Sequence, residues 1–402
     1  MLACLALLVA LGGGGFDRPK DRVELQSGKV VQGHVLYEDE ARVIALVGTR
    51  EREFESAEVA SVDSVERELE AVLERLDRVD EADAAALLEL ARYARDHRLP
   101  NESALLAWCA VAAQPDLEGA HELLGHRRRN GRQMVRVGKR EFPVDELGQE
   151  RDWSDAWEFR TTHFALRTDL PLGEALGIAL DLERVYRDLM DFLGPELTLR
   201  DVLEPMPAEV HADQGSFPEA IGSRRSYFLP EMRTLYVNAG AGYDRWTLVH
   251  EVTHQVLYCT AEGQRAGRGT HMPGWLEEGL AEYMAGNAGG ARGRVRARPG
   301  GICLPHFQNH AAASDPYDVS RLLTFGQDDF ASSSNEQLKY AQSYTFVHFL
   351  LHGEGQRHRP ALMQFLRDCW VGKSSSGTFM KAVDLREREL QQAWDAYVRE
   401  HV

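Results

Sequence analysis

Trp246-Thr247-Leu248-Val249-His250-Glu251-Val252-Thr253-His254-Gln255-Val256-Leu257 is the stretch on which the reading of this sequence turns. Apolar residues at Leu248, Val249, Val252, Val256 and Leu257 predict a largely buried helix, with Asp244 ahead of it as N-cap. Positions i and i+4 of a helix lie one turn apart on one face, so His250 and His254 can offer two imidazoles to a single cation. Glu251 projects from the neighbouring angle, near enough to meet a metal-bound water without ligating the metal. Two histidines and a glutamate are costly in a buried helix unless they are paired or metal-bound. In a chain with 15 histidines such a short string also arises by chance, so its surroundings decide.

A catalytic zinc site takes three protein ligands and leaves one position open for water. Candidates for the third ligand lie in His271-Met272-Pro273-Gly274-Trp275-Leu276-Glu277-Glu278-Gly279-Leu280-Ala281-Glu282-Tyr283. Pro273 and the pair Gly286-Asn287 bound a helix of about three turns. Glu278 and Glu282 share a face of it. Glu278 would complete the metal triad, and Glu282, one turn on, would accept the outer ring N–H of a ligating histidine and fix its tautomer. Gly279, without a side chain, would let this helix approach the His250 helix closely. Glu277 and Glu282 remain lesser ligand candidates, and His271 a fourth ligand were the zinc purely structural. No cysteines stand at C-x-x-C spacing, which sets aside a thiolate zinc knuckle.

Taken in order, H-E-V-T-H (250–254) and W-L-E-E-G-L-A-E-Y (275–283) resemble the gluzincin zinc metallopeptidases, in particular the peptidase MA-like family and, more distantly, aminopeptidase N-like enzymes. The resemblance runs from about Trp157 to the C-terminus. In that pattern the glutamate directly before the glycine is the zinc ligand, which is Glu278 here. The interval from His254 to Glu278 is longer than the usual gluzincin gap, and the glycine- and arginine-rich loop Glu262 to Thr270 takes up the excess. Tyr340-Ala341-Gln342-Ser343-Tyr344-Thr345-Phe346-Val347-His348-Phe349-Leu350 is similar to the tyrosine-initiated helix that follows the metal site in peptidase MA-like proteins. Tyr340 is the first choice for an oxyanion donor and Tyr344 the second, with a core role open for both. Leu362 to Trp370 and Leu385 to Val398 resemble the helical C-terminal lobe of these enzymes.

The resemblance implies a zincin-like domain over 153–402, one Zn2+ per chain, and hydrolysis of peptide bonds with Glu251 as general base and proton donor to the leaving amine. A substrate peptide would add to a sheet edge near Ser226 to Leu229. The rival expectation is a catalytically weak protein of the same fold that serves as a protein-binding or scaffold module. Ser332 to Ser334 resemble no nucleophile elbow, which sets serine-type hydrolysis aside.

Working outward, Phe159 to Asp169 alternates as a strand, Glu174 to Leu193 is an amphipathic helix, and Ala208 to Ala212 and Met232 to Val237 are further strands. Helices follow from Asp244 on, so the fold class is α+β. Upstream, 136–152 reads as a polar linker. The region 66–135 has helical period, and its stretch Ala85 to Gly125, broken at Pro100 and Pro115, looks like tetratricopeptide-type hairpins. The region 16–65 alternates β-branched runs with turn residues as a small β-module. The β-module carries no cluster of His, Cys or paired carboxylates and reads as a spacer or interaction surface, and the helical region, with one repeat length visible, reads as a packing spacer or a surface for a protein partner.

Met1 to Leu11 is apolar but shorter than the about twenty residues a membrane span needs, and 1–15 read as a signal peptide of an exported protein, periplasmic, extracellular or cell-surface associated. No integral membrane span is expected. Beyond it Cys109, Cys259, Cys303 and Cys369 permit up to two disulfides or free thiols. Lys and Arg total 46 against 63 Asp and Glu, a net charge of −17 that repels phosphate backbones and sets nucleic acid aside. Arg292, Arg294, Arg296 and Arg298 alternate in what reads as a solvated stretch or a patch for acidic substrates.

Overall fold

The computed structural model describes residues 18–137, 140–148, 151–218, 226–241, 245–261, 272–286, 301–331 and 334–402. The expectations on residues 1–15, Asp244, the loop 262–270, His271, Asn287 and the arginines 292–298 lie outside these residues.

Five strands come first among the described residues: β1 (Asp21–Leu25), β2 (Val30–Glu38), β3 (Arg42–Val47), β4 (Arg50–Glu55) and β5 (Val59–Asp63). They form an antiparallel sheet in the order β4-β3-β2-β1-β5. Alternation turns Val23, Val31, Val43, Ala45, Phe54 and Val62 into a small core of their own. The strand β4, Arg50-Glu51-Arg52-Glu53-Phe54-Glu55, escapes sequence reading because only Phe54 points inward. Its charges are solvated at a sheet edge, where they also deter pairing with another chain.

Helices α1 (Val65–Leu76), α2 (Ala84–Asp96), α3 (Pro100–Ala113) and α4 (Glu118–Leu123) follow. The side chains of Ser64 and Asp83 cap α1 and α2, and Pro100 begins α3, where a missing N–H is harmless. Between them and the next domain a polar linker was expected over 136–152. The end of the region expected to be helical (66–135) and the start of that linker are instead a meander of β6 (Arg127–Arg129), β7 (Arg132–Val137) and β8 (Arg140–Pro143). Its first turn is Asn130-Gly131, both at positive φ (51° and 79°), the backbone a two-residue hairpin requires.

The second large sheet holds β9 (Trp157–Arg160), β10 (Phe164–Thr168), β11 (Met206–His211), β12 (Tyr227–Leu229) and β13 (Thr234–Asn238), in the order β12-β13-β11-β10-β9. Its three central strands are parallel and both edge strands antiparallel. The strand expected over Phe159 to Asp169 is therefore two, turned at Thr161, whose N–H bonds to Phe164 O at 2.9 Å. Helix α5 (Leu172–Leu197) makes the crossover from β10 to β11, and α6 (Arg245–Thr260) packs on β12 and β13.

The rest is helical: α7 (Gly274–Ala285), α8 (Leu304–Ala311), α9 (Val319–Leu322), α10 (Gln327–Ala331), α11 (Glu336–Gln356, broken at Gly353 to Gly355), α12 (Arg359–Trp370), α13 (Ser376–Val383) and α14 (Glu387–Glu400). Three sheets with helices between and after them make the molecule α+β. Trp275, Phe346 and Trp394 are among the largest fully buried side chains and join α7, α11 and α14 in one core. The close approach expected of Gly279 is made to α11 and not to α6: a Cβ there would lie 2.7 Å from Ser343 O and 2.7 Å from Val347 Cγ2. Cys109, Cys259, Cys303 and Cys369 are free thiols. No helix among the described residues is long and apolar enough to cross a membrane.

Candidate metal centre

Helix α6 is buried along Leu248, Val249, Val252, Val256 and Leu257, which fixes its rotation and turns His250 and His254 toward α7. On α7, Trp275, Leu276, Leu280 and Met284 are buried, and Glu278 and Glu282 face back. Three side-chain atoms converge there. His250 Nε2 lies 3.2 Å from Glu278 Oε2 and 3.2 Å from His254 Nε2, and His254 Nε2 lies 3.7 Å from Glu278 Oε2.

These edges can be compared with what a metal requires. Ligands about 2.1 Å from a tetrahedral zinc stand about 3.4 Å apart, within the spread of the observed triangle. The chemistry of the donors agrees. Nδ1 of His250 lies 2.9 Å from Glu282 Oε1, so its proton resides on that side and the Nε2 lone pair faces Glu278 and His254. Lone pairs of two imidazoles and a carboxylate directed at one point repel unless a cation lies between them, and these residues fit zinc. The outer nitrogen of His254 is less well served: Nδ1 is buried without a hydrogen bond among the described residues and lies 3.7 Å from Glu277 Oε1. Glu277 is itself held by Gln327, whose Nε2 donates to Oε2 at 2.6 Å.

Titration behaviour follows from the same neighbours. Burial would lower His250, but its bonds to Glu278 and Glu282 raise it well above the usual imidazole value, so a metal binding at Nε2 would have to displace a proton from that nitrogen. Burial would raise Glu278, yet the charge of His254 and hydrogen bonds from both histidines hold it well below the carboxylate range. Glu282 is likewise pushed up by burial and brought down to about 2 by His250 and His306. Glu251 behaves differently. Burial raises it, the two histidines oppose that incompletely, and Glu278 adds to the rise. A carboxylate with a raised pKa is the better proton acceptor and donor.

Of the two tyrosines, Tyr340 faces this group, its ring 6.1 Å from that of His250. Burial, then the charges of Glu278 and Glu282, push its pKa up, so the hydroxyl keeps its proton. Tyr344 is occupied elsewhere: its oxygen accepts the Cys303 N–H at 2.7 Å and its hydroxyl faces Gly301 O at 3.4 Å. Two residues missed by sequence reasoning adjoin Glu282. His306 Nε2 lies 2.7 Å from Glu282 Oε2, and Trp246 Nε1 lies 3.5 Å from Glu282 Oε1. Trp246 stands one turn before His250 on α6, a spacing legible in the sequence, whereas His306 shares no period with the motif and only the fold brings it to Glu282.

A second set of donors, Glu66, His163 and Asp201, also clusters closely enough for a metal. Its positive charge is already supplied. Arg18 Nη2 lies 2.7 Å from Glu66 Oε1 and 2.7 Å from Asp201 Oδ2, and the ring of His163 stacks on Tyr186 with centroids 3.7 Å apart. His163 Nδ1 lies 2.7 Å from Glu183 Oε2 and Nε2 3.0 Å from Asp201 Oδ1, an arrangement that suits an imidazolium. A cavity of about 350 Å3 opens beside Glu66, His163 and Asp201. Concavity and donor geometry thus point to different groups of residues. Donor geometry decides, because Arg18 leaves no need of a further cation at the cavity.

A protein-family profile described as a protein of unknown function (DUF1570) matches residues 245–370, from the start of α6 to the end of α12. The matched span contains His250, Glu251, His254, Glu278, Glu282, His306 and Tyr340. Comparison with curated proteins gives no match.

Proposed function

We propose that this chain is a zinc-dependent peptidase of the gluzincin type, with a zincin-like domain over 153–402 that hydrolyses peptide bonds using Glu251 as general base. The observation that carries this reading is the convergence of His250 Nε2, His254 Nε2 and Glu278 Oε2 beside the half-buried carboxylate of Glu251. Zinc bound there supplies a Lewis acid and lowers the pKa of water. Glu251 takes the proton of the attacking water and returns it to the leaving amine. The hydroxyl of Tyr340, kept protonated by its acidic surroundings, donates a hydrogen bond to the oxygen on which negative charge develops. Strand β12 is an edge strand, and the ring of Phe228 packs against Tyr258 of α6 with centroids 5.4 Å apart. Its outer edge, unpaired among the described residues, suits an extended peptide laid beside the metal helix.

Metal analysis of the purified protein and a peptide-library digest of wild type and Glu251→Gln test the reading. One zinc per chain in both, with cleavage by wild type alone, is the expected result. Zinc in both with no cleavage by either would favour a binding protein of the same fold, and absence of zinc from the wild type would sink the proposal.

A further inference from the structure

We infer that His306 is a positioning residue of the metal centre, acting on His250 through Glu282; this rests on the zinc reading above. Glu282 is 7% exposed, and its two oxygens are divided between two histidines. Oε1 lies 2.9 Å from His250 Nδ1 and Oε2 lies 2.7 Å from His306 Nε2. The remaining neighbour, Trp246 Nε1 at 3.5 Å, is at the limit of a hydrogen bond and shares the oxygen that serves His250. Without His306, one oxygen of a buried carboxylate would therefore lose its donor. The carboxylate could then be satisfied only by turning away from His250 or by taking up a proton.

The tautomer of His306 is set by its surroundings. Its Nδ1 is buried with no hydrogen-bond partner among the described residues, so the proton sits on Nε2 and is donated to Glu282. The ring itself is clamped, with centroids 4.7 Å from Tyr344 and 5.4 Å from Trp246. Tyr344 also accepts the N–H of Cys303, the residue that leads into α8. One tyrosine thus holds both the ring and the start of its helix. The result is a rigid path from α11 through His306 and Glu282 to the imidazole that ligates the metal. A histidine ligand whose outer N–H meets a fixed carboxylate is better oriented and more basic, and losing such a partner weakens metal affinity about 10- to 100-fold.

The test compares wild type, His306→Phe and His306→Gln, titrating apoprotein with zinc against a chromogenic chelator and recording the visible spectrum after loading with cobalt. Phenylalanine keeps an aromatic ring between Tyr344 and Trp246 but removes the donor, whereas glutamine restores an N–H in place of Nε2. We expect zinc affinity to fall about 10- to 100-fold in the phenylalanine variant, with a changed cobalt spectrum, and to stay within about threefold of wild type in the glutamine variant. Equal affinity and an unchanged spectrum in the phenylalanine variant would overturn the role of His306 while leaving the zinc reading intact, as would a glutamine variant no better than the phenylalanine one. Wild type that binds no zinc would overturn both.

Discussion

Tyr340 and Tyr344 stand one turn apart on α11, yet their hydroxyls have different obligations. The hydroxyl of Tyr344 is committed to the backbone ahead of α8, accepting from Cys303 at 2.7 Å, and its ring is fully buried. Tyr340 is half-buried and lies beside His250, in the negative field of Glu278 and Glu282. Their phenylalanine variants should therefore fail in different ways. Tyr340→Phe should lower kcat about 100-fold or more at unchanged zinc content, because it removes a donor aimed at developing charge. Tyr344→Phe should leave the Cys303 N–H unpaired and lower stability by about 1–3 kcal/mol. Steady-state kinetics with urea denaturation of both variants separates them; loss of activity in the Tyr344 variant alone would exchange their roles. At this scale the residues named from sequence and the convergent group largely coincide, because i and i+4 neighbours are fixed by helix geometry. His306 was not legible, since its contact with Glu282 crosses between helices that share no local period.

The helix pair α7 and α11 shows what one missing side chain permits. Glu278, Glu282 and Gly279 are set by a single helix, so a shift of α7 displaces the candidate ligand Glu278 and its neighbour Glu282 together. Gly279 has no room for a methyl group: Ser343 O and Val347 Cγ2 are each 2.7 Å from where its Cβ would be, and one of the two obstacles is backbone. Gly279→Ala should destabilise the protein by about 1–3 kcal/mol, the range for overpacking a filled interior, despite the better helix propensity of alanine. It should also weaken zinc binding. Urea denaturation and zinc titration of this variant check both, and a variant as stable as wild type would mean that the helices separate freely. The need for a glycine was readable from its place beside the glutamates, but its neighbour was not. The nearest helix in sequence is α6, whereas packing of buried faces brings up α11. In the same way β4 hid behind its solvated charges, and the meander after α4 behind its arginines.

The N-terminal module is joined to the rest of the molecule by charges drawn from distant parts of the chain. Arg18 bridges Glu66 and Asp201 and donates to Val202 O at 2.8 Å across 184 positions; His163 meets Glu66 across 97. Asp21 adds two backbone bonds, accepting from Val35 at 2.6 Å and Val65 at 2.8 Å. No sequence pattern announces such partners, because each is an ordinary charged residue in its own segment. Facing His163 are Glu66 from α1, Glu183 and Tyr186 from α5, and Asp201 from the segment after it, with Arg18 and Asp21 behind and Glu102 of α3 near Glu183. Burial would lower His163, but Glu66, Glu183 and Asp201 raise it well above its ordinary 6.5. Burial would raise Asp201 and Glu183, but Arg18 and His163 bring the first down and His163 the second. Stability from His163 is fully present below pH 6.5 and is lost as pH rises through its raised pKa, while stability from the two acids is present above their ordinary values and lost as pH falls through the depressed ones. Removing one member of a buried charge group costs about 3–5 kcal/mol because its partners are left uncompensated. His163→Gln should therefore open a stability gap of that order from wild type at pH 6, and the gap should narrow in strongly alkaline buffer as the wild-type imidazolium loses its proton. Urea denaturation of the two proteins at both pH values measures it; a gap that widens with rising pH would show His163 to be neutral in the fold, and the charge at this junction to be carried by Arg18 alone.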